Sequence, residues 1–363
     1  MAAFLEAKGW LALLAPVVSA LLVLALVAPA RRFGMVDHPG GRKNHDQPTP
    51  LVGGLAIFLA FLAVNALAGA IPGDSQSLLA AMAVTVAIGV MDDAHEIGHR
   101  SKFFAQIAAA LLVATGTSVH MTHFGDLFGF GDIELGKWAP LVTVVSIIGL
   151  MNAINMIDGA DGLAGAVVLP PMLIHAALAA GDGNGRVAFE LLALAGAVAG
   201  FLFFNLRTPW RKRAAAFMGD TGGLLLGLLL AWYSIIMAGS AKSPICPIAA
   251  VWLLAVPLLD MGSVMLLRIF QGQSPFHADR QHLHYVLLDA GYSVGQVVAM
   301  MSAASLALGL LALLAHDAGA SQSALFFSFL VVWGGYWLAL ARPGRTVRVV
   351  ARVLKPRLLR DED

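Results

Sequence analysis

Asp92 and Asp93 stand side by side at the end of an apolar run, in the segment MDDAHEIGHRSKF, with Lys102 close behind them. Adjacent carboxylates repel, so a nearby cation, whether Lys102 or a metal ion, is the simplest way to keep both ionised. A second segment, NAINMIDGADGLAG, places a polar side chain at every third position: Asn152, Asn155, Asp158 and Asp161. On a helix this spacing puts all four on one slowly drifting face, and Gly159 with Gly162 lets the chain break and approach a ligand closely. A polar seam between helices is the structural alternative, although such seams usually use Ser or Thr. In a third segment, RTPWRKRAAAFMGDTGG, Asp220 sits on a Gly-rich turn with Thr221 as the expected N-cap and Phe217 nearby. Oxygen ligands, amides at a helix start and an aromatic ring together suit a phosphate held through a divalent cation. The fourth, QGQSPFHADRQHLHYVLLDAG, carries His277, Asp279, Arg280, His282 and His284. Three histidines could bind zinc, but no cysteine supports them and Arg280 would oppose a cation. Recognition of a phosphate or pyrophosphate, with Arg280 as a fork of donors, fits better.

The elements that must position these residues are apolar. Of 363 residues, 59% are apolar and 12% charged, about half the charged share of an ordinary soluble domain. That composition excludes a soluble globular protein and predicts an all-α polytopic membrane protein. Eleven runs are long enough to be spans: 10–30, 52–72, 77–91, 103–119, 138–156, 162–180, 187–206, 222–240, 247–267, 296–316 and 323–341. Each approaches the ~20 apolar residues that a bilayer core requires. The first run is read as a retained helix and not a cleaved signal, because Arg31 and Arg32 follow it directly. The lone Cys246 excludes an internal disulfide.

With eleven spans the loops alternate sides, and their Lys and Arg residues divide 19 against 4. The positive-inside rule then predicts an outside amino terminus and a cytoplasmic carboxyl terminus, with all four polar segments on the cytoplasmic face. On the outer, periplasmic side, HMTHFGDLFGFGDIELGKW at 120–138 predicts a small interfacial hairpin. Residues 1–341 read as a single transmembrane catalytic domain. Residues 342–363 read as a basic tail whose Arg345, Arg348, Arg352 and Lys355 oppose Val347, Val350 and Leu354, an interfacial helix for anionic lipid. Two rival readings carry less of the pattern. His95, Glu96 and His99 match the H-E-x-x-H pattern of a zinc protease, but Gly98 lies inside the required turn and the other segments are left without a role. An anionic-solute transporter would place its site at the bilayer midplane between repeats, and no repeat is visible.

In order along the chain, DHPGGRKNHDQPTPLVGG, MDD, NAINMIDGADGL, FMGDTGG and SPFHADRQHLHYVLLDAG resemble the polyprenyl-phosphate N-acetylhexosamine-1-phosphate transferases. The HADRQHLHY form is similar to the undecaprenyl-phosphate N-acetylglucosamine-1-phosphate transferases of WecA type, with Tyr285 where these often have a further His. The resemblance implies transfer of GlcNAc-1-phosphate from UDP-N-acetylglucosamine to undecaprenyl phosphate in the bacterial inner membrane, on the cytoplasmic face. The products are UMP and a lipid pyrophosphoryl sugar, which initiates a surface glycan such as lipopolysaccharide O-antigen or enterobacterial common antigen. It implies Mg2+ or Mn2+ held by Asp220 and Asn155, uracil stacked on Phe217, and phosphate met by Lys102. Asp158 and Asp161 would frame the nucleotide pocket beside Asn152, and His277, Arg280, His282 and His284 would bind the sugar phosphate side. Asp92 or Asp93 is left either to take the lipid phosphate proton or to act as a covalent nucleophile. No nucleic acid is implied, and homodimerisation is left open.

Overall fold

The computed structural model describes residues 2–38, 48–71, 75–276 and 279–354. The chain is built of helices: α1 (Ala2–Lys8), α2 (Leu14–Arg32), α3 (Gly53–Ala68), α4 (Ser75–His95), α5 (His99–Gly116), α6 (Ala139–Ile157), α7 (Leu163–Gly181) and α8 (Gly185–Asn205). After them come α9 (Gly219–Ala238), α10 (Pro247–Leu253), α11 (Ala255–Phe270), α12 (Leu283–Asp289), α13 (Val294–Asp317), α14 (Gln322–Ala341) and α15 (Pro343–Leu354). Two short strands, β1 (Val36–Asp37) and β2 (Thr49–Pro50), pair antiparallel.

Among the described residues, eight helices are long and apolar enough to cross a membrane. The expected straight span at 247–267 is instead broken: α10 and α11 meet at an angle of 84°. Leu254 lies between them, and Pro257, whose ring cannot continue the backbone hydrogen-bond ladder, follows within the first turn of α11. The run at 52–72 yields only the 16 residues of α3, about 24 Å of helix against a ~30 Å hydrocarbon core. The run at 103–119 begins earlier than its apolar residues, because α5 opens with His99, Arg100, Ser101 and Lys102.

The helices are arranged about α9. Its side chains are almost wholly buried, whereas few of those of α14 are, the pattern of a central and a peripheral helix in a bundle. Small residues allow the close packing. A Cβ added at Gly54 of α3 would fall 2.2 Å from the backbone nitrogen of Gly222 on α9, so these two helices touch backbone to backbone. The consequence for function is that the ends of α3, α4 and α6 converge on the amino-terminal end of α9.

At the opposite end of α9 the chain forms the anticipated small hairpin. Phe124 donates its amide to Ile133 and Leu135 to Thr122, both at 2.9 Å, and Phe128 packs edge-on against Phe326 of α14. At the carboxyl end, α15 follows α14 directly. Val347 packs against the cluster of Val264, Leu267, Leu340 and Val286 of α12, while Arg345 and Arg348 are exposed.

Candidate active site

A cleft of about 740 Å3 opens where α4 and α6 end and α9 begins. Its wall includes Asp92, Asp93, Asn155, Asp158, Asp161, Phe217 and Asp220, residues drawn from three of the four polar segments.

Lys102 ties two of these segments together. Its Nζ donates to Asp92 Oδ2 at 2.9 Å and to Asp220 Oδ2 at 2.7 Å. Asp93 turns the other way. It accepts the amide of Asp220 at 2.8 Å, the amide of Thr221 at 3.3 Å and the Thr221 hydroxyl at 2.7 Å. The expected N-cap role of Thr221 is thereby corrected: α9 starts at Gly219, Thr221 lies inside its first turn, and Asp93 caps the helix from α4. A carboxylate is the strongest partner for these amides, because they are otherwise unpaired and carry the positive end of the helix dipole. Gly219 makes this fit possible, since its φ is +71° and a Cβ there would lie 2.4 Å from Asp93 Oδ2.

The helix expected to carry Asn152, Asn155, Asp158 and Asp161 ends at Ile157, so only the two amides are helical. Asn155 reaches the cleft with Oδ1 against Gly223 of α9. Asn152 does not line it; its side chain donates to Gln106 Oε1 at 2.7 Å and to the Ile148 carbonyl at 2.8 Å, a polar seam between α5 and α6. In the turn that follows, Asp161 is held by Arg207 Nε at 2.6 Å and the Ala214 amide at 3.2 Å. Among the described residues nothing donates to Asp158. Burial, then the charges of Asp220, Asp93 and Asp161, pushes its carboxyl up to about 7. Buried Asn205, which the sequence reading missed, locks this turn to the segment before α9. It accepts from the Gly162 amide at 2.7 Å and donates to the Ala216 carbonyl at 2.9 Å. Phe217 is anchored by its backbone, its amide donating to Pro50 and its carbonyl accepting from Gly53, both at 2.9 Å.

The histidine-rich loop is placed differently from expectation. His277 lies outside the described residues. His282 and His284 are buried, at 5% and 0% exposure, and neither lines the cleft. Arg280 is exposed, 4.7 Å over the ring of Tyr285, and it is Tyr285 that lines the wall. The loop is pinned by Arg268, which donates to both oxygens of Asp279 at 2.8 and 3.1 Å and to the Pro275 carbonyl at 2.7 Å. Burial opposes ionisation of Asp279, but the Arg268 pair outweighs it and holds the carboxyl below its usual range.

The zinc-protease pattern is broken. α4 ends at His95, Glu96 has a φ of +48°, and His99 opens the next helix, so the two imidazoles do not share one helix face. Among the described residues no three His, Cys, Asp or Glu side chains converge as a metal cage. The cleft nevertheless suits a hard divalent cation. Its wall carries many carboxylates and the amide of Asn155, with His38 and His95 beside them, and Arg207 is already paired with Asp161. Mg2+ uses one or two carboxylates together with waters and substrate phosphates, and needs no complete protein cage.

Residues 75–238, from α4 through α9, match the family model described as glycosyl transferase family 4. The chain is similar to the undecaprenyl-phosphate alpha-N-acetylglucosaminyl 1-phosphate transferase of Haemophilus influenzae, at 30% identity over 92% of this chain and 94% of that protein. The protein of the same name from Escherichia coli strain K12 is 29% identical over 92% of this chain and 90% of its own length. That of Pasteurella multocida is 29% identical over 94% and 96%. The matched family segment supplies every acidic wall residue tied to Lys102 or to the start of α9, and the alignments run nearly end to end. The chain therefore belongs to glycosyl transferase family 4, a multi-pass membrane transferase of phosphosugars.

Proposed function

We propose that this protein transfers GlcNAc-1-phosphate from UDP-N-acetylglucosamine to undecaprenyl phosphate, releasing UMP. The observation that carries this reading is the cluster of Asp92, Asp93 and Asp220 lining a cleft at the start of α9, with Lys102 joining Asp92 to Asp220, at one end of a membrane bundle. The names of the similar proteins agree with it. In the reaction, an oxygen of the lipid phosphate bonds to the β-phosphorus of the donor. The bond from that phosphorus to the bridging oxygen breaks, and the oxygen leaves with UMP.

Bringing two anions together is the central difficulty, and this chain's residues address it by charge and position. Asp220 and Asn155 would hold Mg2+ or Mn2+, which supplies electrostatic stabilisation of the phosphates and of the departing oxygen. Lys102 adds a second positive charge beside Asp220. Asp92 is tied to Lys102 and Asp93 caps α9, which leaves Asp158, with no hydrogen-bonded partner among the described residues and its carboxyl pushed up to about 7 by burial, as the carboxylate placed to take the proton of the lipid phosphate. Phe217 offers a ring for uracil. Arg280, exposed above Tyr285, meets the donor as it enters. His282 and His284 bear on the donor side through α12.

The surplus of Lys and Arg on one set of loops, 19 against 4, supports a cytoplasmic cleft in the inner membrane, a periplasmic hairpin at 120–138 and an outside amino terminus. In that orientation α15 lies at headgroup level, with Arg345 and Arg348 toward anionic lipid. The test is UMP release by detergent-solubilised protein given undecaprenyl phosphate and a panel of UDP-N-acetyl sugars, with Mg2+, Mn2+ or chelator. UMP formation with UDP-N-acetylglucosamine that depends on both lipid and divalent metal is expected. Absence of release with every donor refutes the reading, and release only with another sugar corrects the donor.

A further inference from the structure

Asp260 of α11 is 1% exposed, and no step of the proposed reaction uses it. A carboxylate in the middle of an apolar helix is costly unless it serves something. Its partners show where it acts. Oδ2 accepts from His282 Nδ1 at 2.6 Å, and Oδ1 accepts from the Leu283 amide at 3.0 Å and from the Tyr336 hydroxyl of α14 at 2.7 Å. Asp260 thus joins three elements at the point where α12 begins.

From there a chain of contacts leads to the cleft. The ring of His284 is stacked 5.6 Å from that of His282 and is fully buried. A Cβ built on Gly159 would lie 2.2 Å from His284 Nε2, so the imidazole presses directly on the turn that carries Asp158 and Asp161. Neither ring nitrogen of His284 has a hydrogen-bond partner among the described residues, and burial, more than any neighbouring charge, lowers its pKa to about 4. A neutral imidazole with no hydrogen-bond partner serves here as a spacer of fixed thickness. Tyr285 and Leu288, on the same short helix, form part of the cleft wall.

We propose that Asp260, together with Tyr336, is a positioning residue for the donor side of the cleft. By fixing His282 and the start of α12, it sets His284 against Gly159 and Tyr285 on the wall. The buried histidines then govern donor binding through the form of the cleft, without touching the donor. This rests on the donor reading proposed above.

Four variants test it: Asp260→Asn, Tyr336→Phe, Gly159→Ala and Gly159→Ala combined with His284→Ala. In Asp260→Asn the amide nitrogen meets the His282 Nδ1 donor, and a mispaired buried hydrogen bond of this kind corresponds to roughly a 10-fold change. The KM for UDP-N-acetylglucosamine should therefore rise about 10-fold, with the KM for undecaprenyl phosphate changed less than about 2-fold. Tyr336→Phe should move the same constant in the same direction. Gly159→Ala should raise donor KM by a similar factor, and adding His284→Ala should restore most of it, because the clashing ring is gone. A purely structural role predicts equal losses toward both substrates with a matching fall in melting temperature. That result, an unchanged donor KM in Asp260→Asn, or no rescue in the double variant overturns the inference while wild-type activity leaves the functional reading intact. Wild-type protein that releases no UMP from any donor overturns both.

Discussion

Replacing Lys102 by Met should tighten divalent metal binding while abolishing turnover. The ammonium group lies 2.7 Å from Asp220 Oδ2 and 2.9 Å from Asp92 Oδ2, with all three side chains mostly buried. In the metal-free protein it therefore occupies an oxygen that the proposed metal would need. A hydrogen bond to a charged group is worth about 1.5–3 kcal/mol. Freeing Asp220 from it should lower the Kd for Mn2+ by roughly 10- to 100-fold. The two carboxylate oxygens are also less than ~6 Å apart, and without the ammonium they repel by about 3 kcal/mol at an effective dielectric near 20, which an added dication would relieve. Turnover should move oppositely. Removing a cation that offsets the charge of the transferred phosphate costs on the order of 10²- to 10³-fold. Mn2+ binding by electron paramagnetic resonance and UMP release, measured on the same detergent-purified Lys102→Met preparation, give both quantities. Metal binding that is weaker or unchanged would show that Lys102 and the metal do not share Asp220, and the cluster would need another explanation.

Gly219→Ala should lower activity by about 10-fold or more and reduce melting temperature, because a left-handed backbone is disfavoured for Ala and its Cβ would displace Asp93 from the start of α9; wild-type behaviour would remove the cap from the argument. Asp158→Asn should change the pH dependence of stability in metal-free protein. The folded carboxyl titrates at about 7 against an ordinary 3.8, so its contribution to stability is full below 3.8 and is lost as pH rises through 7. The advantage of the Asn variant should accordingly grow by roughly 1–3 kcal/mol between pH 5 and 7.5, read as a widening gap in melting temperature, and parallel profiles would refute the assignment. In a Cys246→Ser background, single cysteines at Arg211 or Gln281 should react with an impermeant thiol reagent only from the cytoplasmic side, and one at Asp182 only from outside. The reverse pattern would invert the orientation.

Much of the site's membership was legible without the fold. Carboxylates and amides in runs otherwise free to be Leu or Val identify themselves by type, and Asp92, Asp93, Asn155, Asp158, Asp161 and Asp220 do line one cleft. Asn152 fits the same three-residue spacing yet faces Gln106, because it lies about 4.5 Å deeper along α6 than Asn155 and about 60° around its axis. Asp260 could have been flagged as a carboxylate inside the run 247–267, and Asn205 as an amide at a helix end. Their partners could not have been named, since these lie on other elements of the fold.

What the sequence by itself determined is therefore what depends on residue type and local spacing. Apolar length and low charge define a membrane-embedded helical protein, ordered motifs define its family, and clustered oxygen side chains define where chemistry concentrates. Tertiary structure alone decided the state of each of those side chains. Asp93 caps a helix 127 residues away, Lys102 bridges to Asp220 across 118, and Tyr336 reaches Asp260 across 76. Among the described residues, Asp158 beside them has no hydrogen-bonded partner. The physical reason is that ionisation, hydrogen bonding and access depend on which groups packing brings within about 3 Å, and for these residues the deciding neighbours come from other elements of the fold.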